Sequence, residues 1–236
     1  MLVRFEGKVD VMEGIIQHIL HPTTTMLHLL TGSLVMYILI GQDDDVFKKR
    51  VKVMGYGAFV AISPDIPKLL GTLLGHSIWG IPVLALIVAF PGALMLNISY
   101  SKLWLSTVIT ILFAAILIDF MGNGAHIFYP FIQKGVSFEI IDEDIWMVGL
   151  LLLSLSIGLL YHKGRPLLII GSLFIAVFLG VKAYSKWSLE QTLYNKYEDK
   201  NVVQLTTYPS TGEDFSWTYK VETNKETISG RKSLFN

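Results

Sequence analysis

Apolar residues in this chain gather into six runs, at about 26–41, 51–63, 78–98, 103–121, 145–161 and 166–184, with short polar stretches between them. A helix needs roughly 17–25 residues to cross a bilayer, so the second run is short and the first and fifth are marginal. The clearest run, Leu103 to Met121, is interrupted only by Ser106, Thr107, Thr110 and Asp119. The pattern predicts an all-α integral membrane protein in which residues 26–186 form about six transmembrane helices. Residues 1–25 read differently: Val11, Met12, Ile15, Ile16, Ile19 and Leu20 mark one apolar face, which predicts an amphipathic segment lying at the interface. From 187 to 236 the chain turns polar, with strand patterns at Val202 to Thr207, Ser216 to Glu222 and Thr227 to Ser229 and a turn at Glu222 to Glu226. This predicts a small extracytoplasmic tail with a β-hairpin resting on the outer membrane face, over whatever cavity opens there.

Composition sharpens the membrane reading. Hydrophobic residues make up 52% of the chain and charged residues 16%, against roughly 25% charged in an average soluble domain. The formal net charge is zero, which argues against a nucleic-acid partner, and the absence of cysteine excludes disulfide stapling. The opening MLVRFEGKVDVMEG lacks the apolar core of a signal peptide, so the first span is expected to target the chain. Lys48, Lys49, Arg50, Lys52, Lys102, Lys163 and Arg165 all fall in alternate loops. Those loops are therefore expected on the cytoplasmic side of a plasma (inner) membrane, with both termini outside.

Threaded that way, His28, Asp65, His76 and Asp119 all arrive at the extracytoplasmic side. Ionisable groups at membrane depth are expensive unless they pair, line a wet cavity or hold an ion, so each marks a candidate site. Taken singly, each histidine reads as an interfacial hydrogen-bonding residue and each aspartate as a helix cap; the joint placement favours a site. Two imidazoles and two carboxylates suit a divalent metal ion such as zinc. The prolines of Ser63-Pro64-Asp65-Ile66-Pro67 are expected to end the second helix, with Lys68 to Gly75 forming a re-entrant or interfacial turn. Pro91 would bend the third span without supplying chemistry. His126 is a reserve ligand or an interfacial residue, whereas His18, His21 and His162 are expected outside the site.

The spacing His28-x-x-x-Gly32, Pro64-Asp65, His76-Ser77 and Ile118-Asp119, followed by Gly124 and Tyr129-Pro130-Phe131, resembles the YdjM-like family of predicted membrane-bound metal-dependent hydrolases. The likeness covers about 28 to 131, and Tyr208-Pro209 through Trp217 and Val221 is similar to a short tail segment of some members. This chain departs from the family pattern at Pro67, where the family repeats an acid, and at Lys68, Gly71 and Ala115, where it carries histidines. One residue remains from each of four elements.

The resemblance implies a membrane-embedded hydrolase acting on a lipid or cell-envelope substrate through metal activation of water. His28, Asp65, His76 and Asp119 are the candidate ligands, and Asp65 and His76 are also the catalytic candidates, since three ligands would leave an open position and a fourth group free as general base. The missing histidines support an alternative, a non-catalytic membrane protein that keeps the family fold with a degenerate site. A transporter ranks third, because transporters place polar groups near the midplane rather than crowding one interface.

Overall fold

The computed structural model describes residues 22–42, 46–142, 145–161, 164–210 and 213–233. The amphipathic N-terminal stretch with His18 and His21, and His162 between the last two apolar runs, lie outside the described residues. The fold is mostly helical: α1 (Pro22–Ile40), α2 (Phe47–Ile62), α3 (Asp65–Leu69), a single 3-10 turn at Leu74–His76, α4 (Gly80–Leu96), α5 (Tyr100–Met121), α6 (Ile145–Leu160) and α7 (Gly164–Tyr197). Strands β1 (Val202–Ser210), β2 (Glu213–Thr223) and β3 (Thr227–Ser233) follow as an antiparallel sheet in the order β1-β2-β3.

Each of the six apolar runs is helical, and among the described residues three helices are long and apolar enough to cross a membrane: Thr23–Ile40, Tyr100–Met121 and Gly164–Lys200. That is fewer than the six spans expected from the sequence. The physical reason lies in length and charge. α4 and α6 are apolar yet stop at 17 and 16 residues, and α2 carries Lys48, Lys49, Arg50 and Lys52 in its first turns. α7 carries much of the exposed apolar surface, with Leu173, Phe174 and Val177 open to the surroundings, as expected of a helix whose neighbour is hydrocarbon.

α1 and α2 pack together closely, and glycine makes the contact. A Cβ on Gly32 would stand 2.4 Å from the carbonyl oxygen of Gly57, and one on Gly57 would stand 2.3 Å from that of Gly32. Small residues of this kind let backbones touch where burial of apolar surface supplies little drive in lipid. Gly32 also contacts Ala61. His28 lies one turn before Gly32 on the same face, so this contact brings it level with the end of α2.

Two turns of the fold differ from the sequence expectation. Pro64 adopts helical angles (φ −60°, ψ −23°) instead of forcing an extended break, and α3 begins immediately after it. Pro67 then falls in the first turn of α3, where a missing N–H removes no helical hydrogen bond. In α5, residues Leu112–Ile116 form a π-helical turn between two α-helical stretches. Such turns insert a residue into the helical register and often mark functional sites; here the turn comes just before Asp119.

The C-terminal region also differs in extent. α7 continues past Trp187 to Tyr197, so the polar tail begins as helix and the sheet starts only at Val202. Three strands replace the expected hairpin. The sheet packs on the last part of α7, where Leu189, Leu193, Tyr197, Trp217 and Val221 are buried and Trp217 Nε1 donates to Ser185 Oγ at 3.0 Å.

Candidate functional site

The structure brings all four sequence-selected residues together. His28 Nε2 lies 3.2 Å from Asp119 Oδ1, His76 Nε2 lies 3.4 Å from Asp119 Oδ2, and the same His76 nitrogen lies 3.4 Å from Asp65 Oδ1. His28, His76 and Asp119 are buried, while the Asp65 side chain is about one-third exposed and marks the mouth. Four separate elements supply these groups: the first turns of α1, the start of α3, the 3-10 turn and the end of α5.

Local hydrogen bonds hold the frame. Ser77 Oγ donates to Leu74 O at 3.0 Å and accepts from Gly80 N at 3.1 Å, which fastens the His76 turn to the start of α4. Ser63 Oγ donates to Val60 O at the end of α2. The chain beyond Asp119 folds back over the site: Gly124 N donates to Asp119 O at 2.6 Å, and Ile78 N donates to Ile127 O at 3.0 Å, so the segment after α5 is laced to the segment after His76. A short bridge between Ala125 and Val136 closes this loop.

Lys68 completes the group in a way the sequence did not signal. Its Nζ stands 3.0 Å from Asp65 Oδ1. Burial pushes the Asp65 carboxyl pKa up, but the contacts with His76 and the Lys68 ammonium outweigh burial and hold it well below the usual carboxylate range. Asp65 is therefore ionised at neutral pH. The available clue to this contact is the i, i+3 spacing of Lys68 from Asp65 on a short helix.

His126 is placed elsewhere. Its Nδ1 lies 2.9 Å from Gln133 O within the loop, so it braces the loop rather than joining either aspartate. Ala115 is buried inside the π-helical turn and offers no donor to the cluster.

The donor types suit a divalent ion. Ligand atoms about 2.0–2.2 Å from a tetrahedral zinc ion stand roughly 3.3–3.6 Å from one another, close to the three spacings here. The contacts nevertheless form a chain, with His28 and His76 on different oxygens of Asp119. Among the described residues no group of three or more such side chains surrounds a common point. Among the described residues His28 Nε2, which faces Asp119, makes no hydrogen bond of good geometry; the orphan His76 nitrogen is Nδ1, on the ring edge away from the aspartates. A buried polar atom such as His28 Nε2 calls for an explanation, and a bound ion is one of the standard ones.

The tail sheet reaches this region indirectly. Lys186 on α7 donates to Thr207 O at 2.7 Å in β1 and lies 3.4 Å from Glu139 O and 5.5 Å from the Phe138 ring. Phe138 N in turn donates to Phe120 O, beside Asp119. The sheet thus braces the loop over the site instead of covering the cavity mouth.

Compared with family models, curated proteins and solved structures, the chain matches none.

Proposed function

We propose that the protein is a membrane-embedded, metal-dependent hydrolase of the plasma membrane, acting on a lipid or cell-envelope substrate and related to the YdjM-like family. The observation that carries the reading is the meeting of His28, Asp65, His76 and Asp119, drawn from four elements, at nitrogen-to-oxygen spacings of 3.2–3.4 Å. These four would hold a divalent ion such as zinc, which when bound supplies Lewis-acid activation of water. His28, His76 and Asp119 lie in a buried interior from which bulk water is excluded, and Asp119 fixes both imidazoles through its two oxygens. Asp65, ionised and open at the mouth, would serve either as the fourth ligand or, where the other three hold the ion, as the group that accepts a proton from an incoming nucleophile.

The ends of the bundle support an orientation in the membrane. Arg50 and Arg165, with Lys48, Lys49 and Lys52 nearby in sequence, lie at the end where α2 begins and α6 stops; the four site residues lie at the other end. The positive-inside rule then puts the site outside the cytoplasm. The two shorter apolar helices, α4 and α6, would span with some local thinning of the bilayer, giving the six-helix count once α2 is included.

A second reading is a non-catalytic membrane protein that keeps the fold with a degenerate site. Lys68 favours it, because an ammonium already stands on Asp65 where a metal ion would compete for the same oxygen. Metal analysis of the purified protein separates the two. The hydrolase reading expects about one bound divalent ion per chain, lost in Asp65→Ala and His76→Ala. Metal content that is negligible, or unchanged by both substitutions, removes the mechanism.

A further inference from the structure

Beside the Asp65–His76 edge of the cluster runs a groove of about 350 Å³, lined by Pro67, Leu74, Gly75, Trp79, Val83 and Ile87 together with their neighbours. Its wall is formed by chain neighbours of the site: Gly75 precedes His76, and Pro67 lies between Asp65 and Lys68 along α3. The wall is rigid. A Cβ on Gly80 would stand 1.9 Å from the carbonyl oxygen of Leu74, so the 3-10 turn and the start of α4 meet backbone to backbone. The exposed lining is almost wholly apolar. From Gly80 to Ile87 the groove follows α4 for roughly 10 Å, and its volume is at the lower end of the range for small-molecule sites, about 300–1,000 Å³.

We propose that this groove seats one acyl chain of an anionic glycerolipid, with the lipid head group at Lys68 and the Asp65–His76 edge. The assignment rests on the hydrolase reading and gives its substrate class. Two features select this occupant. Trp79, Val83 and Ile87 are 62%, 58% and 68% exposed, on an apolar helix whose surroundings in a bilayer are hydrocarbon, so the molecule at hand is a lipid chain. Lys68, whose side chain is 28% exposed beside the groove-lining Pro67, has three N–H donors, of which the Asp65 contact at 3.0 Å takes one, and it offers the others at the head-group end. A substrate held this way presents its polar linkage to the buried imidazoles while its tail stays in the membrane.

The test uses the full chain in nanodiscs doped with phosphatidylglycerol or phosphatidylcholine carrying a mid-chain diazirine, photolysed and mapped by mass spectrometry. Adducts should concentrate on Trp79, Val83 and Ile87, at about fivefold higher yield for phosphatidylglycerol. Filling the groove with Val83→Trp and Ile87→Trp should remove most of that labelling while metal content and melting temperature stay at wild-type values. Lys68→Met should equalise the two lipids. Labelling that is equal for both lipids in the wild type, spread evenly to Leu153 and Phe174, or undiminished in the filled variant overturns the assignment. The two readings fail separately: metal-loaded protein with scattered labelling sinks the groove alone, and metal-free protein with focused labelling sinks the hydrolase alone.

Discussion

The two ends of the helix bundle handle buried charge in opposite ways. At the basic end Arg50, 5% exposed, donates to the carbonyl oxygens of Gly158 and Leu159 at 3.3 Å each and to that of Tyr161, capping the C-terminus of α6. A cation on the last carbonyls of a helix answers both the orphan acceptors and the helix dipole. At the other end the buried groups answer one another, side chain to side chain, and among the described residues His28 Nε2, facing Asp119, lacks a well-aligned hydrogen bond. The first arrangement is finished by the backbone; the second has capacity left for a ligand. Buried charge is thus a poor guide to function until its partners are named.

The comparison can be broken most severely through the contact that holds both ends in register. Gly57→Leu drives a side chain into the backbone of α1 and should destabilise by about 3 kcal/mol or more, with loss of metal and a steep fall in melting temperature in detergent. Next, Arg50→Ala strips the α6 terminus of its cap and should lower stability by about 2–3 kcal/mol. Metal content per folded chain should stay unchanged, because the site lies at the far end. A loss of metal in that variant would show that the ends are coupled.

Asp119→Asn tests the opposite end. It keeps the size of the side chain, so unfolding should move by only about 1 kcal/mol, while bound metal falls below detection by elemental analysis. A large stability loss with no change in metal would make this end structural like the other. Lys68→Met should have the smallest effect on folding, about 0.5 kcal/mol, because the pair with Asp65 is partly exposed and screened. Removing the competing ammonium should instead tighten divalent-ion binding threefold to tenfold by calorimetry. Weaker binding would assign Lys68 to the site's support.

Much of the candidate site was legible in the chain because membrane depth makes polar residues conspicuous. His28, Asp65, His76 and Asp119 stood out against apolar runs, and placing those runs end to end was enough to bring them to one side. The Lys68 contact was hidden, since it depends on α3 resuming helical geometry directly after Pro64, against the usual restriction on residues before proline. The π-helical turn at Leu112–Ile116 leaves no mark in apolar periodicity, because every residue in it is hydrophobic. Of the two readings open for His126, the reserve ligand fails because α5 ends at Met121 and the ring pairs with Gln133 in the loop that follows. The span count rests on apolar runs, and a run near the lower length limit, such as the one that becomes the 16-residue α6, does not by itself establish a crossing.

The length of α7 has a consequence for where the sheet stands. Its 34 residues extend roughly 50 Å, while the hydrocarbon layer is about 30 Å thick. A crossing α7 would therefore leave roughly four turns beyond the lipid tails. The three strands pack on the last part of this helix, so a crossing α7 would carry them clear of the hydrocarbon like a flag on a mast.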